Sequence, residues 1–231
     1  MKKIKAVFFD RDNTITYFNP EKKEFLSNFI YERTGNEYKL SYDEMMNLFD
    51  LAGYPKEGLK SIDEEVCFWK RYYIQLLNFY GSQINCESDA EVLFNELWCN
   101  NDKLLFPEVV RVFKFFKNEG IKIGIISDTS PSLQRSLEQL NLGQFIDSYT
   151  CSDLVGAMKP DPIIFEAALS TLGVMADECI YVDDYDVESD GAREIGFTSF
   201  NIVRKSNIEK DKWQINSLDE IVTYYKNRSY E

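Results

Sequence analysis

Residues 5–14 read Lys5-Ala6-Val7-Phe8-Phe9-Asp10-Arg11-Asp12-Asn13-Thr14. Four apolar residues run without interruption into a carboxylate, and a second carboxylate follows two positions later. A short, continuous apolar run with polar flanks is the pattern of a strand buried on both faces, as in a parallel sheet. One Asp would end such a strand. Two so close together repel each other unless a positive charge lies between them. The stretch therefore predicts a buried strand whose carboxyl end invites a cation.

Further apolar runs at 121–126, 179–182 and 198–203, with a weaker one at 148–151, predict more buried strands. Helical spacing lies between them. Val109, Val110, Phe113 and Phe116 form one stripe that Gly120 ends, and Leu133, Leu137 and Leu140 form a second. Ile163, Ile164, Ala167, Ala168 and Leu172 form a third, opened by Asp161 as N-cap and Pro162 at the first helical position. Strand alternating with helix predicts an α/β fold with a doubly wound, Rossmann-like parallel sheet.

Residues 18–101 break that rhythm. They carry no convincing buried strand, and helical patterns cover 25–33, 42–51, 63–80 and 90–98. Ser41 with Glu44, and Ser61 with Glu64, have capping-box spacing. The organisation predicted is a core of residues 1–17 and 102–231, with an α-helical cap, 18–101, inserted after the first strand. The cap aromatics Phe68, Trp69, Tyr72, Tyr73, Phe79 and Tyr80 fall at helical spacing and read as cap core before pocket lining.

Composition narrows the chemistry. The 231 residues carry a formal charge of −13, which disfavours nucleic acid as a partner. Eight basic and fifteen acidic residues leave segment 18–101 at −7, so a strongly anionic substrate finds little attraction there. No histidine is present, which removes Ser–His, Cys–His and zincin mechanisms. Five cysteines, an odd number without CxxC spacing, fit a reducing cytosol better than disulfides or a zinc site. Lys2, Lys3 and Lys5 precede an apolar stretch too short for a signal peptide, and no run nears the ~20 apolar residues of a membrane span. The expectation is a soluble, cytoplasmic protein without membrane contact, with monomer and homodimer both open.

In open α/β sheets, ligands bind beyond the carboxyl ends of the strands. There the first strand delivers Asp10, Asp12 and Thr14, and the second delivers Ser127 and Asp128. A later strand delivers Asp183, Asp184, Asp186 and Glu188, and Lys159 stands before the third helix. A rim this acidic is strained when empty, and Mg²⁺ suits its oxygen donors. Asp10 can then act as a carboxylate nucleophile, and Asp12 as the acid and base that serves the leaving alcohol and the attacking water. That second role needs Asp12 protonated part of the time, and the charge of Asp10 is expected to raise its pKa.

Together these residues resemble the haloacid dehalogenase (HAD) superfamily of hydrolases. Asp10-Arg11-Asp12-Asn13-Thr14 matches its first motif, Ser127 the second, Lys159-Pro160-Asp161-Pro162 the third, and Asp183-Asp184 with Glu188 the fourth, in family order. The resemblance implies Asp10 as nucleophile and metal ligand, Asp12 as acid/base and ligand through its carbonyl, and Asp184 as a further Mg²⁺ ligand. It places Ser127, Asp128 and Lys159 at the substrate phosphate, makes Asp183 and Glu188 supporting acids, and likens the insert to the family's C1 cap. The implied activity is hydrolysis of a small-molecule phosphomonoester through an aspartyl phosphate. A phosphomutase, a dehalogenase-type hydrolase and a catalytically silent binding module remain the alternatives.

Three positions depart from the family pattern: Asn13 for the usual Gly, Asp128 where Asn is common, and Glu188 for Asp. Asn tolerates a left-handed turn, so the first departure is compatible with the motif's shape.

Overall fold

The computed structural model describes residues 3–81, 86–204 and 211–228. The chain runs β1 (Ala6–Phe9), β2 (Thr16–Phe18), then the helices α1 (Pro20–Thr34), α2 (Tyr42–Leu51), α3 (Ile62–Phe79) and α4 (Cys86–Leu97). It continues β3 (Lys103–Leu105), α5 (Val109–Asn118), β4 (Lys122–Ser127), α6 (Leu133–Gln139), β5 (Ser148–Cys151), α7 (Ser152–Val155) and α8 (Pro162–Leu172). It closes with β6 (Cys179–Asp183), α9 (Asp186–Ile195), β7 (Thr198–Ile202), β8 (Gln214–Ile215) and α10 (Asp219–Arg228).

Six strands form one parallel sheet in the order β5-β4-β1-β6-β7-β8. β1 is central because all four of its side chains are apolar and both faces can be covered. Alternation divides them. Val7 and Phe9 face the layer of α5, α6 and α10, where Val112, Phe113, Phe116, Leu137 and Ile221 are buried. Ala6 and Phe8 face α8 and α9, against Ile164, Phe165 and Ala192. Gly124 on β4 is where Phe8 comes closest: a Cβ there would lie 2.4 Å from the Phe8 ring.

After β1 the chain builds outward to β4 and β5, then returns to β6 on the opposite side. This makes β1 the switch point of the sheet, where a crevice opens beyond the strand ends. The register pairs Phe9 with Ile125 on one side and Val182 on the other, so Asp10, Ser127 and Asp183 emerge at one edge.

Helices α1–α4 have an apolar cluster of their own, centred on Ile30, Leu48, Phe68, Leu76, Leu77 and Leu93. On α3, Glu65, Phe68, Tyr72, Tyr73, Leu76 and Leu77 fall on one buried face, as the spacing predicts, whereas Phe79 is exposed. The capping box at Ser41 and Glu44 forms in full. At Ser61 only half of it forms, because the Glu64 carboxylate accepts from the Lys60 amide instead.

Some elements differ from the sequence reading. α1 begins at Pro20 rather than 25, with the Asn19 side chain accepting from the Glu21 amide, because cap and proline outweigh the polar first turn. α4 begins at Cys86 rather than 90. The antiparallel pair β2–β3 and the two-residue β8 were not anticipated. β2 and β3 join the two ends of the helical insert, so it leaves and re-enters the core at one place. No helix among the described residues is long and apolar enough to cross a membrane.

Candidate active site

The motif after β1 closes on itself. The Arg11 carbonyl accepts from the Ile15 and Thr16 amides, and Asn13 takes the left-handed conformation its side chain permits, at φ 55°. Asp10 is thereby held at the end of β1, 5% exposed, its amide bonded to the Val182 carbonyl.

Lys159 arrives from the loop before α8. Its ammonium, almost wholly buried, lies 2.8 Å from Oδ1 of Asp10, 2.8 Å from Oδ2 of Asp183 and 2.6 Å from Oε2 of Glu188. The Asp128 carboxylate accepts from the Lys159 amide at 3.1 Å and so braces that loop. The Tyr181 hydroxyl also donates to Oδ2 of Asp183, while the Tyr185 amide holds Oδ1 at 2.9 Å. Ser127 is buried at the end of β4, and Asp184 is half-buried beside Asp183.

One ammonium thus serves more carboxylates than it can neutralise. Burial, with the charges of Asp183 and Asp12, pushes the Asp10 carboxyl up to about 7 against the pull of Lys159. Glu188 is raised to about 8, again by burial first and then by Asp183. Asp184 is raised by burial and Asp183, and Asp128 by burial. Burial pushes the Lys159 ammonium down, but Asp10, Tyr181, Asp183 and Glu188 outweigh it and hold it well above its ordinary value.

Asp10, Asp183 and Asp184 each present an oxygen, all within 4.8 Å of one another. Hard oxygen donors this close, with surplus negative charge, suit a divalent cation such as Mg²⁺. Asp183 belongs to this set by distance, although both of its oxygens already accept from protein donors.

The expectation for Asp12 is corrected. Burial does act to raise its pKa, but Arg11 and Lys103 outweigh burial and hold the carboxyl well below the ordinary range. The Arg11 side chain folds back to donate to Oδ2 at 2.8 and 3.1 Å, and Lys103 lies 2.6 Å from Oδ1. These two cations hold Asp12 ionised where burial alone would favour its proton. Arg11 is itself buried and also donates to Thr129 and Ser136.

Four residues at or beside the site were missed. Arg11 stood inside the motif, and its position between two acids was the available signal. Tyr181 reads as one more apolar strand residue. Lys103 has no local signal, because only the β2–β3 pairing brings it to Asp12. Glu65, on α3, is buried between the helical insert and the core. It accepts from the Ser132 amide at 2.7 Å, the Ser132 hydroxyl at 2.6 Å and the Trp98 indole at 3.0 Å. Tyr54 to the Asp153 carboxylate, and Lys60 to the Asp153 carbonyl, are further ties between insert and core. A cavity of about 320 Å³ lies in this seam and reaches Arg11, Lys103 and Thr129.

Acids from three separated segments meet one shared buried lysine at a switch-point crevice, the arrangement of a hydrolase site. The chain belongs to the haloacid dehalogenase-like hydrolases, whose family model matches residues 4–196. It is 30% identical over 129 residues to a glyceraldehyde 3-phosphate phosphatase of Methanocaldococcus jannaschii, a match spanning 53% of this chain and 57% of that protein. To the enzyme of the same name from Pyrococcus furiosus it is 25% identical over 85% of this chain and 79% of that one. The 2-haloacid dehalogenase of Pseudomonas syringae shares the fold, with a TM-score of 0.67 at 19% identity over 98% of this chain and 99% of that one.

Proposed function

We propose that this chain is a Mg²⁺-dependent phosphatase that hydrolyses a small-molecule phosphomonoester through an aspartyl-phosphate intermediate. The observation that carries the reading is the meeting of Asp10, Asp183, Asp184 and Lys159 at one strand edge. The two similar phosphatases support it. The fold alone does not separate phosphatase from dehalogenase. The second acid, Asp12, does favour phosphoester chemistry, because an alcohol leaving group needs a proton and a halide does not.

Asp10 and Asp184 would hold the metal through side chains, with the Asp12 carbonyl beside them and Asp183 orienting the set. When bound, Mg²⁺ neutralises phosphate charge and positions the phosphorus for in-line attack. Asp10 attacks as nucleophile. Ser127 and Lys159 hold phosphate oxygens, and Asp128 acts on Lys159 through its backbone. Asp12, held ionised by Arg11 and Lys103, suits the base that takes the proton of the hydrolytic water, and it serves the leaving oxygen as acid only in the small fraction that carries a proton against their pull. Glu188 shares Lys159 and keeps it in place between substrate molecules.

The test is turnover of p-nitrophenyl phosphate and a panel of metabolite phosphates with Mg²⁺, with EDTA, and in Asp10→Asn. The reading expects metal-dependent release of phosphate that Asp10→Asn abolishes. Full activity in EDTA removes the metal, full activity in Asp10→Asn removes the nucleophile, and no turnover across the panel favours a silent binding module.

A further inference from the structure

Up to Asp183, β6 is apolar except for one hydroxyl. Tyr181 lies two residues before Asp183, so the two side chains leave the strand on the same face, toward α8 and the loop that carries Lys159. The ring is fully buried, edge-on to Phe165 at 5.3 Å and beside Phe197 at 6.0 Å, so packing fixes where its hydroxyl stands. That hydroxyl donates to Oδ2 of Asp183, the oxygen that also takes the Lys159 ammonium. The Tyr185 amide already holds Oδ1 at 2.9 Å. With Lys159 in place, both oxygens of Asp183 therefore have a donor without Tyr181, and the phenol is a third.

An ammonium has three hydrogens. Lys159 directs them at Asp10, Asp183 and Glu188, at 2.8, 2.8 and 2.6 Å. A phosphate oxygen can bind this ammonium only if a carboxylate gives it up. Asp10 has to stay beside the reacting phosphorus, which leaves Asp183 and Glu188. Released from Lys159, the Glu188 side chain can turn to solvent, since it is 19% exposed. The Asp183 side chain is 1% exposed and cannot. Its Oδ2 would be stranded without a donor, which is costly for a buried charge, unless a second donor stays behind. Tyr181 is that donor.

Resting on the phosphatase reading, we infer that Tyr181 is a positioning residue: its hydroxyl holds Oδ2 of Asp183 while Lys159 exchanges that carboxylate for an oxygen of the substrate phosphate. It touches no reacting atom and acts through Asp183 and Lys159. The hydroxyl keeps Asp183 in its cluster with Asp10 and Asp184, whose oxygens all lie within 4.8 Å of one another, whether or not the ammonium is attached. Phenylalanine at position 181 fills the same space without the donor. Binding of phosphate then strands Oδ2, so affinity for phosphate falls while the chemical step that follows is little changed.

The test is a cycle of four proteins: wild type, Tyr181→Phe, Asp183→Asn and the double variant. Turnover of p-nitrophenyl phosphate with Mg²⁺ gives kcat and KM. Calorimetric titration with inorganic phosphate and Mg²⁺ gives affinity without turnover, and urea unfolding reports the fold. Tyr181→Phe is expected to raise KM and to weaken inorganic phosphate about tenfold, with kcat within about threefold of wild type. In the Asp183→Asn background the same change should add less than about twofold, because no charge is left to strand. An unmoved phosphate affinity overturns the inference and gives the exchange to Glu188. Losses that multiply in the double variant, a loss confined to kcat, or a Tyr181→Phe chain that does not fold overturn it as well. Phosphate affinity that depends on the hydroxyl, in a chain that turns over no ester, sinks the phosphatase reading and leaves the positioning role. Turnover with affinity indifferent to the hydroxyl does the reverse. Neither binding nor turnover sinks both.

Discussion

Lys159 places its ammonium 2.8 Å from Oδ1 of Asp10 although 149 residues separate them in the chain. The same nitrogen holds Asp183 and Glu188. A buried charge stripped of its partner is strongly destabilising, by about 3–5 kcal/mol, unless protons or a cation replace it. Lys159→Met is therefore expected to cut turnover by at least about a hundredfold, since a charged group on the phosphate is lost. Its folding should also depend on Mg²⁺ more than the wild type does. Phosphate release, with urea unfolding in Mg²⁺ and in EDTA, checks both halves. A variant as stable in EDTA as in Mg²⁺ contradicts the charge argument.

The raised carboxyls make a linked prediction about pH. Asp10 moves from 3.8 to about 7 and Glu188 from 4.5 to about 8, so the folded protein keeps protons that the unfolded chain has released. With more protons bound in the native state, stability falls as pH rises, in a window from about pH 4 to about pH 8. Each retained proton contributes roughly 1.4 kcal/mol per pH unit at most, less where the two groups share the loss. Mg²⁺ held by Asp10 would compete with the proton on that carboxyl, so its stabilising effect is expected to grow over the same window. Differential scanning calorimetry at about pH 5.5 and about pH 8, with and without Mg²⁺, should show the larger rise in Tm at the higher pH. An effect of Mg²⁺ independent of pH removes the buried acids as its ligands.

Arg11 and Lys103 grip Asp12 from two sides, and the consequence is kinetic. Removing one opposite charge within a few ångströms raises a carboxyl pKa by about one unit or more. Lys103→Met should shift the acid limb of the kcat profile upward by about one pH unit, because Asp12 then keeps its proton to higher pH. A pH–rate profile with p-nitrophenyl phosphate measures this, and an unmoved limb means that Asp12 does not set it.

Much of the core was readable because strand and site signals coincide. β1 and β6 are apolar runs that end on Asp10 and Asp183, so one pattern marks both the element and the chemistry. β2 and β3 escaped because each has three residues, and their pairing is what makes them strands. The site was legible where motif residues act near their own strand end. It was illegible where tertiary structure alone makes the neighbour: Lys103 reaches Asp12 through the ribbon, and Glu65 reaches Ser132 across the seam. The pKa of Asp12 differs from the expectation for two reasons: the weight of Arg11, visible beside it in the motif, was not counted, and the arrival of Lys103 is not visible in sequence.

Glu65 provides the test of the seam itself. Its carboxylate is 1% exposed and accepts from the Ser132 amide and hydroxyl, the Trp98 indole and, at 3.3 Å, the Trp69 indole. Ser132 lies in the segment that leaves β4 just past Ser127 and carries Asp128, so this one side chain ties α3 to the rim of the site. Glu65→Ala strands several buried donors, and each unsatisfied one costs about 1–3 kcal/mol, so a loss near 3 kcal/mol is expected after partial hydration. Ser132→Ala removes one hydroxyl and should cost about 1 kcal/mol. The double variant should cost less than the two losses added together, because the Ser132 hydroxyl has nothing to bond once Glu65 is gone. Urea unfolding of the four proteins gives the coupling. Tryptophan emission in Glu65→Ala should move to longer wavelength as water reaches Trp69 and Trp98. Strict additivity, with emission unchanged, would show that the helical insert is held to the core by other contacts, with Tyr54 on Asp153 the first to examine.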